Sequence, residues 1–340
     1  MGILFLVAGL AIAQGPSGTV AFVQQTDAGQ RVVCVVDAAT GAVRTVGAGP
    51  WDGAPVWSPD GSRLAFGSES DDGAARIRIV GADGSAGPEI AHADPVNYAP
   101  AWSPDGGKLA YGAGTGHARH IRVYDTETGR ENVWGAPGPP NETNPRIAFQ
   151  KPVWLTNTLI AAVGIRDDES GRVADLYKLE QDSVTPMVET RGLGIYVEWA
   201  PTPHARTGQL AYESNDGGDR EIFVTAPQRL NDVSNHRDAD WNPVWSADGA
   251  RLAFESFRGG SRGIYRTTPQ GTVVTPVAAD PAYDNWSPTW SPDGAWIAFV
   301  SMRTGKATLH ACRADGSDAR AITTHEGEDF APAWRPTPAK

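Results

Sequence analysis

The chain has 340 residues, with 29 Lys+Arg against 40 Asp+Glu for a formal charge of −11, and its 39 Gly and 26 Pro stay below the level at which composition argues for disorder. A surface of that sign repels phosphate backbones and disfavours nucleic acid as a partner. Two cysteines are too few for a disulfide scaffold, no Cys/His spacing matches a structural zinc site, and no apolar run is long enough to predict a membrane-spanning helix.

Residues 1–13 read MGILFLVAGLAIA, an apolar run ending in Ala11-Ile12-Ala13. This matches the core and small-residue cleavage pattern of a secretory signal, although no Lys or Arg precedes it; the other reading is a buried N-terminal strand. Export, to the periplasm or beyond, is the expectation.

A repeat follows. Trp57-Ser58-Pro59-Asp60-Gly61 recurs at Trp102–Gly106 and Trp290–Gly294, and at Trp245–Gly249 with one change. Pro55, Pro100, Pro243 and Pro288 each stand two residues before the Trp, and weaker copies place Trp154, Trp199 and Trp334 in the same series. Successive spacings are 45, 52, 45, 46, 45 and 44 residues. Ser-Pro-Asp-Gly has the composition of a type I turn. Beyond each turn comes an apolar triplet around alanine: Leu64-Ala65-Phe66, Leu109-Ala110-Tyr111, Leu252-Ala253-Phe254 and Ile297-Ala298-Phe299. Period-2 alternation puts the large residues on one sheet face and alanine on the other. A third strand, an Asp-Gly turn and a fourth strand complete a unit of propeller-blade size. Val20-Ala21-Phe22 is a triplet with no Pro-x-Trp before it, and Pro332-Ala333-Trp334 is a first strand with no triplet after it. The expectation is all-β: a seven-bladed β-propeller of four-stranded blades, closed by the C-terminal strand joining the N-terminal blade.

These residues resemble the β-propeller repeats of the TolB family, related to WD-type repeats, over roughly residues 17–336, with PxWSPDGxxLAF nearly complete four times. In the namesake of the family a six-bladed propeller follows an α/β domain and binds the lipoprotein Pal. Seven expected blades, and no room for that domain, make this chain a TolB-like propeller rather than a counterpart of TolB itself. The resemblance implies a single domain over 17–336 that binds an envelope protein or peptide without catalysis and without a cofactor.

The candidate site is the face where inter-blade connections and second-strand loops meet, at the channel mouth. Five residues before five of the tryptophans stands Asp52, Asn97, Asp240, Asn285 or Asp329, followed in four cases by Tyr98, Trp241, Trp286 or Phe330. Such a rim suits a peptide, a sugar or a cation, its negative charge favouring a basic partner; the alternative is that each Asp/Asn caps the turn entering its strand. Arg258 and Arg303 match the family's S-x-R-x-G loop and are candidates for binding a carboxylate, the other reading being that they brace neighbouring loops. His92, His236 and His325 lie on the same connections. Oligogalacturonate lyases of similar architecture hold a metal through histidines, which gives a metal-dependent carbohydrate-active enzyme as the alternative function. Gly259-Gly260-Ser261-Arg262-Gly263 satisfies G-x-S-x-G without a strand-to-helix elbow, so no nucleophile is expected. His117-x-x-His120 enters a strand, where residues three apart face opposite ways. Long loops at 135–151 and 200–208, the latter with His204, depart from the repeat. Cys34 and Cys312 fall on third strands of the first and last units, and whether they pair stays open.

Overall fold

The computed structural model describes residues 15–47, 49–70, 73–91, 96–135, 147–168, 171–187, 202–203, 207–215, 218–225 and 230–337. The expected export signal, His92, Trp199, His204 and most of the 135–151 loop lie outside them. Among the described residues every element is a β-strand apart from one 3-10 turn at Gly116–Ala118. No helix among the described residues is long and apolar enough to cross a membrane.

The repeat's turn forms as its composition dictates. In all four strong copies the glycine N–H donates to the carbonyl of the serine three residues earlier, at 2.8–2.9 Å for Gly61, Gly106, Gly249 and Gly294. The serine hydroxyl donates to the turn aspartate, as from Ser58 Oγ to Asp60 Oδ1 at 2.5 Å. It also accepts the N–H of the residue that opens the second strand, Arg63 at 3.0 Å. The glycine sits at positive φ, +66° to +71° in these copies, where a Cβ is disfavoured.

The described strands form five four-stranded sheets and one nine-stranded sheet. In the last four-stranded sheet Asn285–Trp290, Trp296–Ser301, Thr308–Arg313 and Arg320–Ala321 pair antiparallel in that order. The nine-stranded sheet begins with the C-terminal strand Glu328–Trp334, antiparallel to Thr19–Gln25 with Val20 opposite Trp334 and Gln24 opposite Asp329. Its two parts meet through one parallel bridge, Arg31 to Trp51.

The alternation read from the triplets holds in the packing. Leu252 and Phe254, with Trp245 of their own sheet, join Ala211 and Ile222 of the preceding sheet, whereas Ala253 joins Trp290, Ile297 and Phe299 of the next. Leu64 and Phe66 likewise pack away from Ala65. Apolar side chains thus gather into seven clusters among the described residues. One of them unites Val20, Phe22 and Trp334 with Trp296, Ala298 and Leu309 of the last four-stranded sheet.

The repeat tryptophans tie unit to unit. Trp102, Trp154 and Trp290 each donate their indole N–H, at 3.0–3.2 Å, to the carbonyl of the residue just before the preceding repeat tryptophan, and Trp57 donates at 3.0 Å to Ala333, just before the last one, Trp334. Each such buried bond contributes on the order of 1 kcal/mol. Burying the indole adds more.

Candidate functional site

Four of the five expected rim residues turn inward. Asp52, Asp240, Asn285 and Asp329 are 0–1% exposed. Asp52 accepts the Val33 N–H at 3.2 Å and the Ser68 hydroxyl at 2.7 Å. Asp329 accepts the Thr323 hydroxyl at 2.5 Å and the Leu309 N–H at 3.2 Å. Asn285 donates to the Ala278 carbonyl. Asp240 accepts Arg258 Nη2 at 2.7 Å. Burial raises the pKa of Asp52, Asp240 and Asp329, partly offset by these bonds. The expectation of a negatively charged rim is therefore corrected. These groups fasten the start of a first strand to the strands and loops beside it, and an ionised group is buried only where such partners hold it. The backbone of Asn97 and Tyr98 belongs to the strand Val96–Trp102, and their side chains lie outside what the structure describes.

The aromatics beside them do reach the surface. Trp241, Trp286 and Phe330 are partly buried, each with a guanidinium over its ring: Arg220 at 5.9 Å, Arg262 at 5.7 Å and Arg31 at 5.7 Å. Phe257, 41% exposed, meets Trp241 edge-on at 5.2 Å. The two arginines of the S-x-R-x-G loops diverge. Arg258 is an internal brace, bonded to Asp240, to Ser256 Oγ at 2.8 Å and to the Ser234 carbonyl at 3.1 Å, with the Phe254 and Tyr265 rings about it. Arg303 is exposed, donates from Nε to the Tyr283 hydroxyl at 3.0 Å and lies 5.1 Å over that ring.

Two buried glutamates that the motifs did not single out organise this sector. First strands carry a left-handed residue before their proline: Lys151, Asn242, Ser287 and Ala331, at φ 49–52°. The Asn242 N–H donates to Glu213 Oε1 and the Ser287 N–H to Glu255 Oε1, both at 2.7 Å, each across a seam between sheets. Glu255 also accepts Asn242 Nδ2 at 2.7 Å and Arg262 Nε at 2.6 Å. Arg220 Nη1 lies 3.5 Å from Glu213. Burial pushes Glu213 up to about 8, against the Asn242 N–H and Arg220. Burial likewise lifts Glu221 to about 7, against bonds from the Ser234 hydroxyl and the His236 N–H. The available signal was an acid directly after the triplet, where Gly67, Gly112 and Val300 stand in other units.

His236 Nδ1 accepts the Asp238 N–H, and His325 Nε2 lies 3.2 Å from Asp329. The two histidines belong to different seams, and among the described residues no three His, Cys, Asp or Glu side chains converge as a metal site. Ser261 donates its hydroxyl to the Asp280 carbonyl. Cys34 and Cys312 are free, buried in separate clusters, with burial raising both thiols, Cys312 to about 12.

Residues 158–340, more than half of the chain, match the family model described as the TolB beta propeller domain. The chain belongs to the TolB β-propeller domain family. Comparison with curated protein sequences returns no match. Solved structures share the fold at low identity. TolB from Acinetobacter baumannii is 17% identical with a TM-score of 0.61, covering 94% of this chain and 67% of that one. The β-propeller domain of the trilobed protease from Pyrococcus furiosus, described as having an open velcro topology, is 14% identical with a TM-score of 0.69, over 92% and 96%. An oligogalacturonate lyase in complex with manganese is 16% identical with a TM-score of 0.61, over 93% and 87%. At such identities these neighbours speak for a TolB-type fold, which hosts several chemistries and fixes none.

Proposed function

We propose that the chain is an exported, non-catalytic TolB-like propeller that binds an envelope protein or peptide partner through its channel-mouth face. Residues 17–336 form one domain of seven blades, the C-terminal strand completes the first blade, and residues 1–13 direct export. The seven apolar clusters and the pairing of Glu328–Trp334 with Thr19–Gln25 support that architecture. The observation that carries the binding reading is the row of partly exposed aromatics, Trp241, Trp286 and Phe330, held at equivalent points of the repeat under stacked guanidiniums. Large rigid rings beside arginine, rimmed by polar groups, are what protein interfaces concentrate at their anchors.

The test is affinity capture from a cross-linked envelope extract, with the mature chain run beside a Trp241→Ala, Trp286→Ala variant of matched urea midpoint. A partner retained by the first and lost by the second is the expected result. Identical recoveries from both, or nothing from either, would remove the mouth as the binding face.

A further inference from the structure

We infer that the corner Tyr283–Trp286 is a carboxylate-binding site, filled by an acidic side chain or a chain terminus that lies next to an aromatic or apolar residue of the partner. The inference rests on the binding reading above for its place on the mouth, and adds the chemistry of what is bound.

The corner joins the strand Thr275–Ala278 to the strand Asn285–Trp290 and is gripped from both sides. The Arg262 N–H donates to Asp284 Oδ1 at 3.0 Å and the Arg262 carbonyl accepts the Asn285 N–H at 2.7 Å. From the other side the Met302 N–H donates to the Asp284 carbonyl at 3.0 Å. Two guanidiniums are thereby set against two neighbouring rings, Arg262 over Trp286 and Arg303 over Tyr283.

Their donors are only partly engaged. Arg262 turns Nε and Nη2 onto Glu255, and Nη1 has no acceptor among the described residues. Arg303 uses Nε on Tyr283, and neither Nη has an acceptor among the described residues, nor does Arg303 form an ion pair there. Arg258, one unit earlier, is held within the protein instead, with Nε on Ser256 Oγ and Nη2 on both Asp240 and the Ser234 carbonyl. Of the neighbouring acids, Asp284 Oδ1 accepts the Arg262 N–H, and Asp280 accepts the Ala282 N–H and interacts with the Tyr283 hydroxyl, feeling the Arg303 charge without forming an ion pair with it among the described residues. A planar fork stacked on a ring, with its outer N–H groups open to solvent, matches a carboxylate in shape and charge. The flanking rings favour a carboxylate attached to an apolar group, and the −11 net charge of the chain disfavours polyanions at long range.

The full chain would be titrated with three probes: acetyl-Ala-Phe with a free terminus, acetyl-Phe-Glu-amide, and the neutral acetyl-Phe-Gln-amide. Affinity would be read from the Trp286 indole N–H resonance. At least one charged probe should bind about tenfold tighter than the neutral one, and which of the two does so tells terminus from side chain. Arg303→Gln, at an exposed position, should abolish that gap, and Arg303→Lys should keep part of it. Equal binding of all three probes, or a gap that survives Arg303→Gln, overturns the inference. Capture that still depends on Trp241 and Trp286 would then leave the binding reading standing without it.

Discussion

The buried acid of the seam that Asn242 crosses gives the sharpest test of how this seam is held together. Glu213 is 3% exposed, and burial moves its carboxyl from about 4.5 to about 8. In the unfolded chain the same group titrates near its ordinary value, so the folded state binds a proton that the unfolded state releases. The stability this contributes is complete below about pH 4.5 and is lost as pH rises through the folded value near 8. The loss runs at up to about 1.4 kcal/mol per pH unit, with a ceiling of roughly 5 kcal/mol. Glu213→Gln keeps an oxygen for the Asn242 N–H at 2.7 Å and cannot ionise. Its unfolding free energy, followed by urea titration from pH 5 to 8.5, should gain on the parent throughout that window, with a difference of about 2–5 kcal/mol at the upper end. A constant offset against neighbouring Arg220 is compatible with this, because it does not vary with pH. Parallel curves for the two proteins across the window would refute the argument, since they would mean that Glu213 ionises in the fold without cost.

Glu255 makes the opposite case, a buried acid met on every side by donors. Glu255→Ala should cost about 3–5 kcal/mol in urea unfolding, because it leaves the Ser287 N–H and Arg262 without their acceptor; a loss below about 1 kcal/mol would show the seam rearranging around the gap. The turn glycines separate strain from crowding. Gly61 and Gly294 share a φ near +66°, but a Cβ on Gly61 would come within 2.8 Å of the Pro336 carbonyl, whereas one on Gly294 meets nothing within 4 Å. Gly294→Ala should cost about 1 kcal/mol and Gly61→Ala clearly more, by thermal or urea unfolding; equal losses would mean that the chain end gives way freely.

Much of the architecture was legible because it repeats. The tryptophan spacing set the unit, and period-2 alternation correctly assigned Leu252 and Phe254 to one seam and Ala253 to the next. The side to which the Asp/Asn residues point was not legible. Parity along a strand holds only while pairing is regular, and these first strands slip register between Trp241 and Val244 and between Trp286 and Thr289. The slip passes through Asn242 and Ser287 at positive φ, directly before a proline, where an extended residue is the default. Downstream of it, alternation counted back from the tryptophan no longer says which side chain faces water, so Asp240 is buried and Trp241 is not.

That slip also explains why the chemistry of this sector sits where the motif is broken rather than where it is kept. A left-handed residue turns its N–H across the seam, and a buried N–H needs an acceptor. At two adjacent seams a glutamate after the triplet provides one, and an arginine seven residues later, Glu213 to Arg220 and Glu255 to Arg262, reaches back toward that acid while lying over the aromatic of the next unit. The equivalent second-strand position before the Ala331 seam is Val300, which offers no acceptor, and Phe330 there takes Arg31 from another strand instead. Residues shared by the described units hold their sheets together alike. The residues that differ, Glu213, Glu255, Arg220 and Arg262, set two neighbouring seams apart, and a face on which two seams differ from the other described ones has a direction in which to bind.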